Sequence, residues 1–92
     1  MAKHLRIEGL VQGIGYRVAF SRQARALLLS GWVRNRLDGS VEAMVAGDAV
    51  ALQQIVDWSR RGPPGARVSK VEAVDFDDAQ VQLGKFEKLP TA

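Results

Sequence analysis

The apolar residues of this chain follow two alternating periods, and this alternation limits the possible folds more than any other feature of the sequence. Residues 4–11 (HLRIEGLV) alternate apolar and polar side chains, which is typical of a half-buried strand. Beyond them the apolar residues recur every three or four positions, which predicts an amphipathic helix with Arg22 and Arg25 directed to solvent. The apolar stripe of this first helix comprises Tyr16, Phe20, Ala24, Leu27 and Leu28.

The same alternation continues in the rest of the chain. GWVRNR and VEAMVAG predict two strands joined by the Asp38-Gly39 turn of a hairpin. A second helix begins after Asp48, whose carboxylate suits a helix N-cap, and ends at Gly62, which two prolines follow. ARVSKVEAVDF predicts a fourth strand, and KFEKL predicts a short closing strand after the polar loop DDAQVQLG. The expected buried residues of the second helix are Leu52, Ile55 and Val56.

The resulting order is β-α-β-β-α-β with one small extra strand. This order predicts an α+β sandwich, in which both helices cover one face of a mostly antiparallel sheet. The strand that contains Asn35 is expected to pair beside the first strand. A chain of 92 residues is long enough for one domain but not for two, so residues 1–92 are expected to form a single domain.

Composition and charge exclude several classes of chemistry. The absence of cysteine removes disulfides, a thiol nucleophile and thiolate metal ligands. No segment has the pattern of a signal peptide or a membrane span, so we expect a soluble cytoplasmic protein. The formal charge is +3, and residues 1–62 carry nine Lys or Arg against five Asp or Glu. This basic excess attracts anions, which leaves both nucleic acid and small phosphorylated molecules open as partners.

The connection from the first strand to the first helix, GLVQGIGYR (residues 9–17), combines three glycines with a final arginine. A helix N-terminus presents N–H groups without internal partners and a partial positive charge. Glycines let such groups turn towards an anion, and the guanidinium of Arg17 suits phosphate or carboxylate oxygens. Neither GxxxxGK[ST] nor GxGxxG matches. The pattern favours an anion-binding loop, with a plain glycine-rich turn and a solvated arginine as the alternative.

Asn35 is the second candidate residue, near the end of the GWVRN strand. Its amide both donates and accepts hydrogen bonds and could orient a water molecule. From the residue pattern alone, an asparagine that bonds the backbone of the nearby turn is the favoured interpretation. Trp32 and Trp58 are expected to fill core space, and Trp32 is close enough in sequence to Asn35 to form a wall of a pocket.

Two other polar groups are expected to be uninvolved in chemistry. His4, the only histidine, lies in the first strand and is interpreted as structural. Asp77 and Asp78 lie in a polar loop and are interpreted as solvated rather than as a metal site, since no cluster has the spacing of divalent-metal ligands. We therefore expect no metal and no other cofactor.

Taken together, these stretches resemble the acylphosphatase family. GLVQGIGYR is similar to its first signature (Gly-x-Val-Gln-Gly-Val-x-Phe/Tyr-Arg), GWVRN…DGSVE is similar to its second, and GPPGARV also matches. The resemblance runs from His4 to about Phe86 and implies a ferredoxin-like sandwich, in agreement with the pattern above. Leu28 departs from the family, which often has glycine there, so the first helix must end by another device.

The resemblance implies a role for each site residue. Arg17 corresponds to the substrate-binding arginine, and Asn35 corresponds to the asparagine that positions the attacking water. The implied phosphate-binding loop comprises Gln12, Gly13, Ile14, Gly15, Tyr16 and Arg17. The expected enzyme is an acylphosphatase, which splits small acyl phosphates into a carboxylate and inorganic phosphate without a metal. We expect inorganic phosphate or sulfate to bind as a product-like ligand.

The chemistry needs few groups because the leaving group of an acyl phosphate is already a good one. Binding the phosphoryl group, stabilising its charge and aligning a water are the remaining tasks. The phosphate itself is expected to take the proton of the water. Two alternatives are a domain that handles phosphate or carbamoyl phosphate for a partner, and, less favoured, a ferredoxin-like RNA-binding module, whose RNP-type run is missing. We expect a monomer that binds neither nucleic acid nor membranes.

Overall fold

The computed structural model describes residues 1–92 except for the side chain of Gln80. The chain forms five strands, β1 (Ala2–Leu10), β2 (Ser30–Asn35), β3 (Val41–Ala46), β4 (Arg67–Phe76) and β5 (Phe86–Lys88). Two α-helices, α1 (Tyr16–Ala26) and α2 (Ala49–Arg61), occur where the sequence predicts them, and a 3-10 turn (Asp78–Gln80) lies in the polar loop. Neither α-helix of this described chain is long and apolar enough to cross a membrane.

The strands form one sheet in the order β4-β1-β3-β2-β5. The predicted hairpin is confirmed, since β2 and β3 pair antiparallel with Asn35 opposite Val41. The expectation that β2 pairs beside β1 is wrong, because β3 lies between them and pairs antiparallel with both. The crossover through α1 makes β1 and β2 parallel, and an antiparallel strand fits between them. β5 pairs parallel with β2, so the sheet is mixed rather than wholly antiparallel.

The main core lies between the sheet and the two helices. It is built from alternate residues of the strands and from one side of each helix, because side chains alternate across a strand and recur every three or four residues on a helix. Its members include Leu5, Ile7, Val33, Ala43, Val45, Phe20, Ala24, Leu52 and Ile55, all fully buried. A smaller cluster contains Met44 and Ala46, with Trp32 packed against it.

The predicted apolar stripe of α1 is wrong at its last member. Leu28 lies beyond the helix and is 88% exposed. It takes a left-handed backbone conformation with φ 58°, which lets the Leu29 N–H donate to the Ala24 carbonyl at 2.9 Å. This is the bonding of a Schellman helix end, in which the left-handed residue is usually glycine. Leu28 therefore adopts the left-handed conformation that ends the helix, which glycine usually adopts, at a cost in backbone strain.

Candidate active site

The loop between β1 and α1 leaves its main-chain donors without partners inside the protein. Gly13 and Gly15 both have φ 78°, and Gly15 is the N-cap of α1, with no side chain to cap the helix. In the described part of the chain, no N–H group from Gln12 to Val18 donates a hydrogen bond to another protein group. The positive end of the α1 dipole lies here as well, so the loop is suited to an anion.

A pocket of ≈ 130 Å³ opens at this loop. Its lining consists of Val11, Gln12, Gly13, Gly15, Tyr16, Arg17, Val18 and Asn35. The fold therefore brings together both predicted functional side chains and nearly all of the predicted loop. Ile14 is the exception, because its side chain packs against the main core and it contributes to the loop only through its main chain.

The Arg17 guanidinium, at one side of this pocket, is held by a main-chain carbonyl. Its Nη1 donates to the Leu89 carbonyl at 3.0 Å, and the Leu89 N–H donates to the Val33 carbonyl at 2.8 Å. Among the described residues, no carboxylate lies within ion-pair distance of Arg17. The contact with the Leu89 carbonyl orients the Arg17 side chain. Because a guanidinium has five N–H donors, most of them remain available for a ligand.

Asn35 carries a buried oxygen, Oδ1, that has no hydrogen-bond partner. A buried polar atom without a partner is costly and marks a place where a donor is missing.

The turn interpretation of Asn35 is wrong, because Asp38 organises the hairpin turn instead. The Asp38 carboxylate accepts hydrogen bonds from the Ser40 N–H at 2.9 Å and the Ser40 hydroxyl at 2.6 Å. These bonds, together with Arg6, lower the pKa of Asp38 to about 2.

Trp32 is absent from the lining of this pocket, so the expectation that it forms a wall is wrong. Trp32 and Asn35 are separated by an odd number of positions on β2, and such side chains lie on opposite faces of a sheet. Trp32 packs instead against the Met44 and Ala46 cluster, where the guanidinium carbon of Arg34 lies 4.9 Å from its ring centroid.

The side chain of Gln12 connects the loop to the hairpin. Its Nε2 donates to the carbonyls of Arg36 at 2.8 Å and Ser40 at 2.9 Å. Since the hairpin continues from β2, these two bonds set the distance between the loop and Asn35. Gln12 thus lines the pocket while its side-chain amide is engaged by two carbonyls of the hairpin.

Tyr16 anchors the start of α1 to α2. Its hydroxyl donates to the Ser59 carbonyl at 2.7 Å, and its ring packs beside Trp58 at a centroid distance of 5.5 Å. Burial raises the pKa of the Tyr16 hydroxyl well above its usual value. The ring therefore stays neutral and serves to fix the first turn of α1 against α2.

A second polar cluster lies outside the pocket. His4 Nε2 is 2.7 Å from Glu42 Oε2, and Arg34 Nε donates to Glu42 Oε1 at 2.7 Å. Burial of Glu42 opposes its ionisation, but the hydrogen bonds from His4 and Arg34 outweigh burial and lower the pKa of Glu42. These contacts give His4 a structural partner on the sheet.

Sequence reasoning missed one participant, the carbonyl of Leu89 that holds Arg17. Every residue has a carbonyl, so no residue type marks it. Only the parallel pairing of β5 with β2, which brings the following residues past Arg17, identifies it.

This α+β sandwich has a small pocket at the N-terminus of its first helix, a position at which proteins commonly bind phosphate and other anions. The sequence model of the acylphosphatase family matches residues 3–88. The chain belongs to the acylphosphatase family, which confirms the class of hydrolase that its two signatures indicated.

Individual relatives agree with this assignment. The chain is 52% identical over 91 residues to an acylphosphatase of Acidovorax sp. (strain JS42), covering 99% of this chain and 92% of the relative. The structure of an acylphosphatase from Coxiella burnetii is similar with a TM-score of 0.88 at 30% identity, over 96% of this chain and 90% of that one. This likeness confirms the ferredoxin-like fold. T. kodakarensis HypF is similar with a TM-score of 0.79 at 30% identity, over 95% of this chain and 12% of HypF.

Proposed function

We propose that this protein hydrolyses small acyl phosphates to a carboxylate and inorganic phosphate. The observation that carries the proposal is the content of one pocket, which is lined by the loop with its partnerless N–H groups, by Arg17 and by Asn35. Membership of the acylphosphatase family supports the same activity.

In the proposed complex, the phosphoryl group lies in the loop that runs from Gln12 to Arg17. Its oxygens accept hydrogen bonds from the main-chain N–H groups, and Arg17 adds a positive charge at the side held by Leu89. These donors are in place before the substrate binds, so they stabilise the charge on the phosphoryl oxygens without having to reorganise.

Asn35 is proposed to orient the attacking water. Its side-chain amide, which lines the pocket, holds the water by hydrogen bonds and directs a lone pair of the water oxygen at phosphorus. The water oxygen forms a bond to phosphorus while the bond from phosphorus to the acyl oxygen breaks, and the carboxylate leaves with that electron pair. The proton of the water passes to a phosphate oxygen. No metal and no general acid take part in this sequence.

The test is hydrolysis of benzoyl phosphate in EDTA by the wild type and by the Arg17→Ala and Asn35→Ala variants. Loss of one preorganised donor to the transition state typically costs 10²- to 10³-fold in rate, so Arg17→Ala is expected to lose about that much in kcat/KM. Asn35→Ala removes the group that positions the water and is expected to cost about 10²-fold. Asn35→Ala should act mainly on kcat, because it affects the water rather than the bound phosphate.

Arg60→Ala is the matched control, since Arg60 is an exposed cation in the last turn of α2. It should retain full turnover, and circular dichroism should show that all variants are folded. Undiminished turnover by Arg17→Ala or Asn35→Ala removes that residue from the mechanism, and loss of wild-type activity in EDTA overturns metal independence.

A second candidate is a phosphate-handling domain that acts for a partner protein. The likeness to HypF supports it, because the matching region there is 12% of a longer chain. Turnover of benzoyl phosphate by this chain alone favours the free enzyme, whereas phosphate binding without turnover favours the partner-dependent domain.

A further inference from the structure

Helix α1 is attached to the β5 segment at two points by the side chains of two arginines. Arg17, in the first turn of α1, donates to the Leu89 carbonyl at 3.0 Å, and Arg25, in the last turn, donates from Nη2 to the Phe86 carbonyl at 3.0 Å. The arginines are eight positions apart, which is about 12 Å along a helix axis. The carbonyls are three positions apart, which is about 10 Å along an extended chain. The two spacings match closely enough for both bonds to form at once.

The position of β5 depends on its neighbours, because β5 is only three residues long. On one side it pairs parallel with β2, and Leu89 extends this pairing by donating its N–H to the Val33 carbonyl at 2.8 Å. On the other side it meets α1, where the Phe86 and Phe20 ring centroids are 5.9 Å apart. Apolar packing is non-directional, whereas the hydrogen bond from Arg25 specifies where Phe86 lies along α1.

The Arg25 guanidinium is not drawn away from this contact by an ion pair. Within the described part of the chain, no carboxylate lies at ion-pair distance from Arg25. A hydrogen bond from a charged donor is also stronger than one between neutral groups. Arg25 is therefore suited to hold the Phe86 main chain in place.

We propose that Arg25 is a positioning residue for the reaction. By fixing Phe86 against α1 it fixes the Leu89 carbonyl three residues later, and that carbonyl orients the guanidinium of Arg17. Arg25 does not line the pocket of the candidate active site, so it acts through Arg17 and not on the substrate. This inference rests on the proposed function, because it assumes that Arg17 binds the phosphoryl group.

The test is a double-mutant cycle of Arg25→Met and Arg17→Ala in the hydrolysis of benzoyl phosphate. A displacement of about 1 Å in a binding group costs up to about 10²-fold in rate. Since Leu89 is also held by Val33, we expect a smaller loss of about fivefold in kcat/KM for Arg25→Met, mainly through KM. A residue that acts through Arg17 has no effect once that guanidinium is removed. Arg25→Met should therefore cause no further loss in the Arg17→Ala background.

Inhibition by inorganic phosphate separates positioning from simple bracing of the fold. Phosphate is proposed to bind at Arg17, so Arg25→Met should weaken its inhibition by the same factor as it raises KM. A brace without a role in positioning would lower only the urea midpoint and leave phosphate inhibition unchanged. Arg25 is exposed, so its variant should fold, which circular dichroism checks.

Arg22→Met is the matched control. Arg22 lies one turn earlier on the same side of α1 and lines the same neighbouring pocket as Arg25, but it is Arg25 that donates to Phe86. Arg22→Met removes the same charge and should keep the wild-type kcat/KM. High salt screens an effect of charge alone, whereas the loss in Arg25→Met should persist there.

Three results would overturn the inference. These are an unchanged kcat/KM in Arg25→Met, an equal loss in Arg22→Met, and a loss from Arg25→Met that is as large in the Arg17→Ala background as in the wild type. Full activity of Arg17→Ala would overturn the proposed role of Arg17 itself, so the two failures are distinguishable.

Discussion

Helix α1 begins at Gly15, which offers no side chain to the first turn, whereas α2 begins at Asp48, whose carboxylate accepts hydrogen bonds from Val50 at 3.4 Å and Ala51 at 3.2 Å. A capping side chain of this kind contributes about 1 kcal/mol to stability. The start of α1 forgoes that contribution and keeps its N–H groups open towards the pocket. One helix start serves the fold, and the other is left unsatisfied where the substrate is proposed to bind.

The C-terminal ends of the two helices also differ, in the residue that takes up the positive φ angle. Helix α2 ends at Gly62, with φ 68° and ψ −175°, a combination that only glycine adopts without strain. Helix α1 ends with Leu28 at φ 58°, where glycine would be easier. Leu28 does not line the pocket at Gly15, so its backbone strain plays no part in that site.

A charge at the start of α1 should have the largest effect. Gly15→Asp places a carboxylate beside the proposed phosphate site, where repulsion of a dianion at about 5 Å lowers kcat/KM about 100-fold. Gly15→Asn has the same shape without the charge and pays the same backbone strain. A Cβ at Gly15 meets no atom within 4 Å, so both variants should fold. Equal kcat/KM values for the two variants in benzoyl phosphate hydrolysis would show that this helix start does not hold the phosphoryl group.

Gly62→Ala, at the end of α2, should destabilise the protein by about 2 kcal/mol. The added Cβ would lie 2.9 Å from both Ala66 Cβ and Tyr16 Cε2, in addition to the backbone strain. Urea unfolding followed by circular dichroism measures the effect. Asp57→Ala, an exposed change within the same helix, should leave the midpoint almost unchanged. A wild-type midpoint for Gly62→Ala would mean that alanine is accommodated there.

Asp48→Ala removes the cap of α2 and should cost about 1 kcal/mol of stability. Since Asp48 does not line the pocket at Gly15, kcat/KM for benzoyl phosphate should stay at the wild-type value. Asp48→Asn retains a capping oxygen and should recover most of the lost stability. Reduced activity in folded Asp48→Ala would contradict the separation of roles between the two helix starts.

Leu28→Gly should have the smallest effect and the opposite sign, a stabilisation of about 0.5 kcal/mol. Relief of about 1 to 2 kcal/mol of left-handed strain exceeds the loss of backbone entropy that glycine brings. Little packing is lost, because Leu28 is 88% exposed. Ala26→Gly, within α1 and exposed, should instead destabilise. A lower urea midpoint for Leu28→Gly would mean that this leucine makes contacts which outweigh its strain.

Much of the fold could be predicted from the sequence because its signals are local. Period-two and helical patterns predict the elements, and Asp48 and Gly62 are recognisable caps because a cap acts within one turn of its own helix. Arg17 is a candidate from the loop pattern itself, whereas Asn35 is favoured as a site residue only through the family signature, and the structure places both at one pocket.

Strand neighbours could not be predicted in the same way. The expectation that β2 pairs with β1 was wrong, since which strand fills the space beside β1 depends on all the connections together. The expected place of Trp32 was also wrong, although strict alternation along β2 would have put it on the face opposite Asn35. The pairing of β2 can be corrected only from the complete sheet topology. The placement of Trp32 can be corrected from the alternation of side chains along β2 alone.

The sequence by itself determined which donors the loop can offer, because glycines, a helix start and an arginine occur within nine adjacent residues (9–17). Only the tertiary structure decided how Arg17 is oriented and that the Asn35 oxygen is left without a partner. The carbonyl that holds Arg17 is 72 positions away in the chain. Such a contact has no local pattern, since it arises only when the sheet brings distant segments side by side.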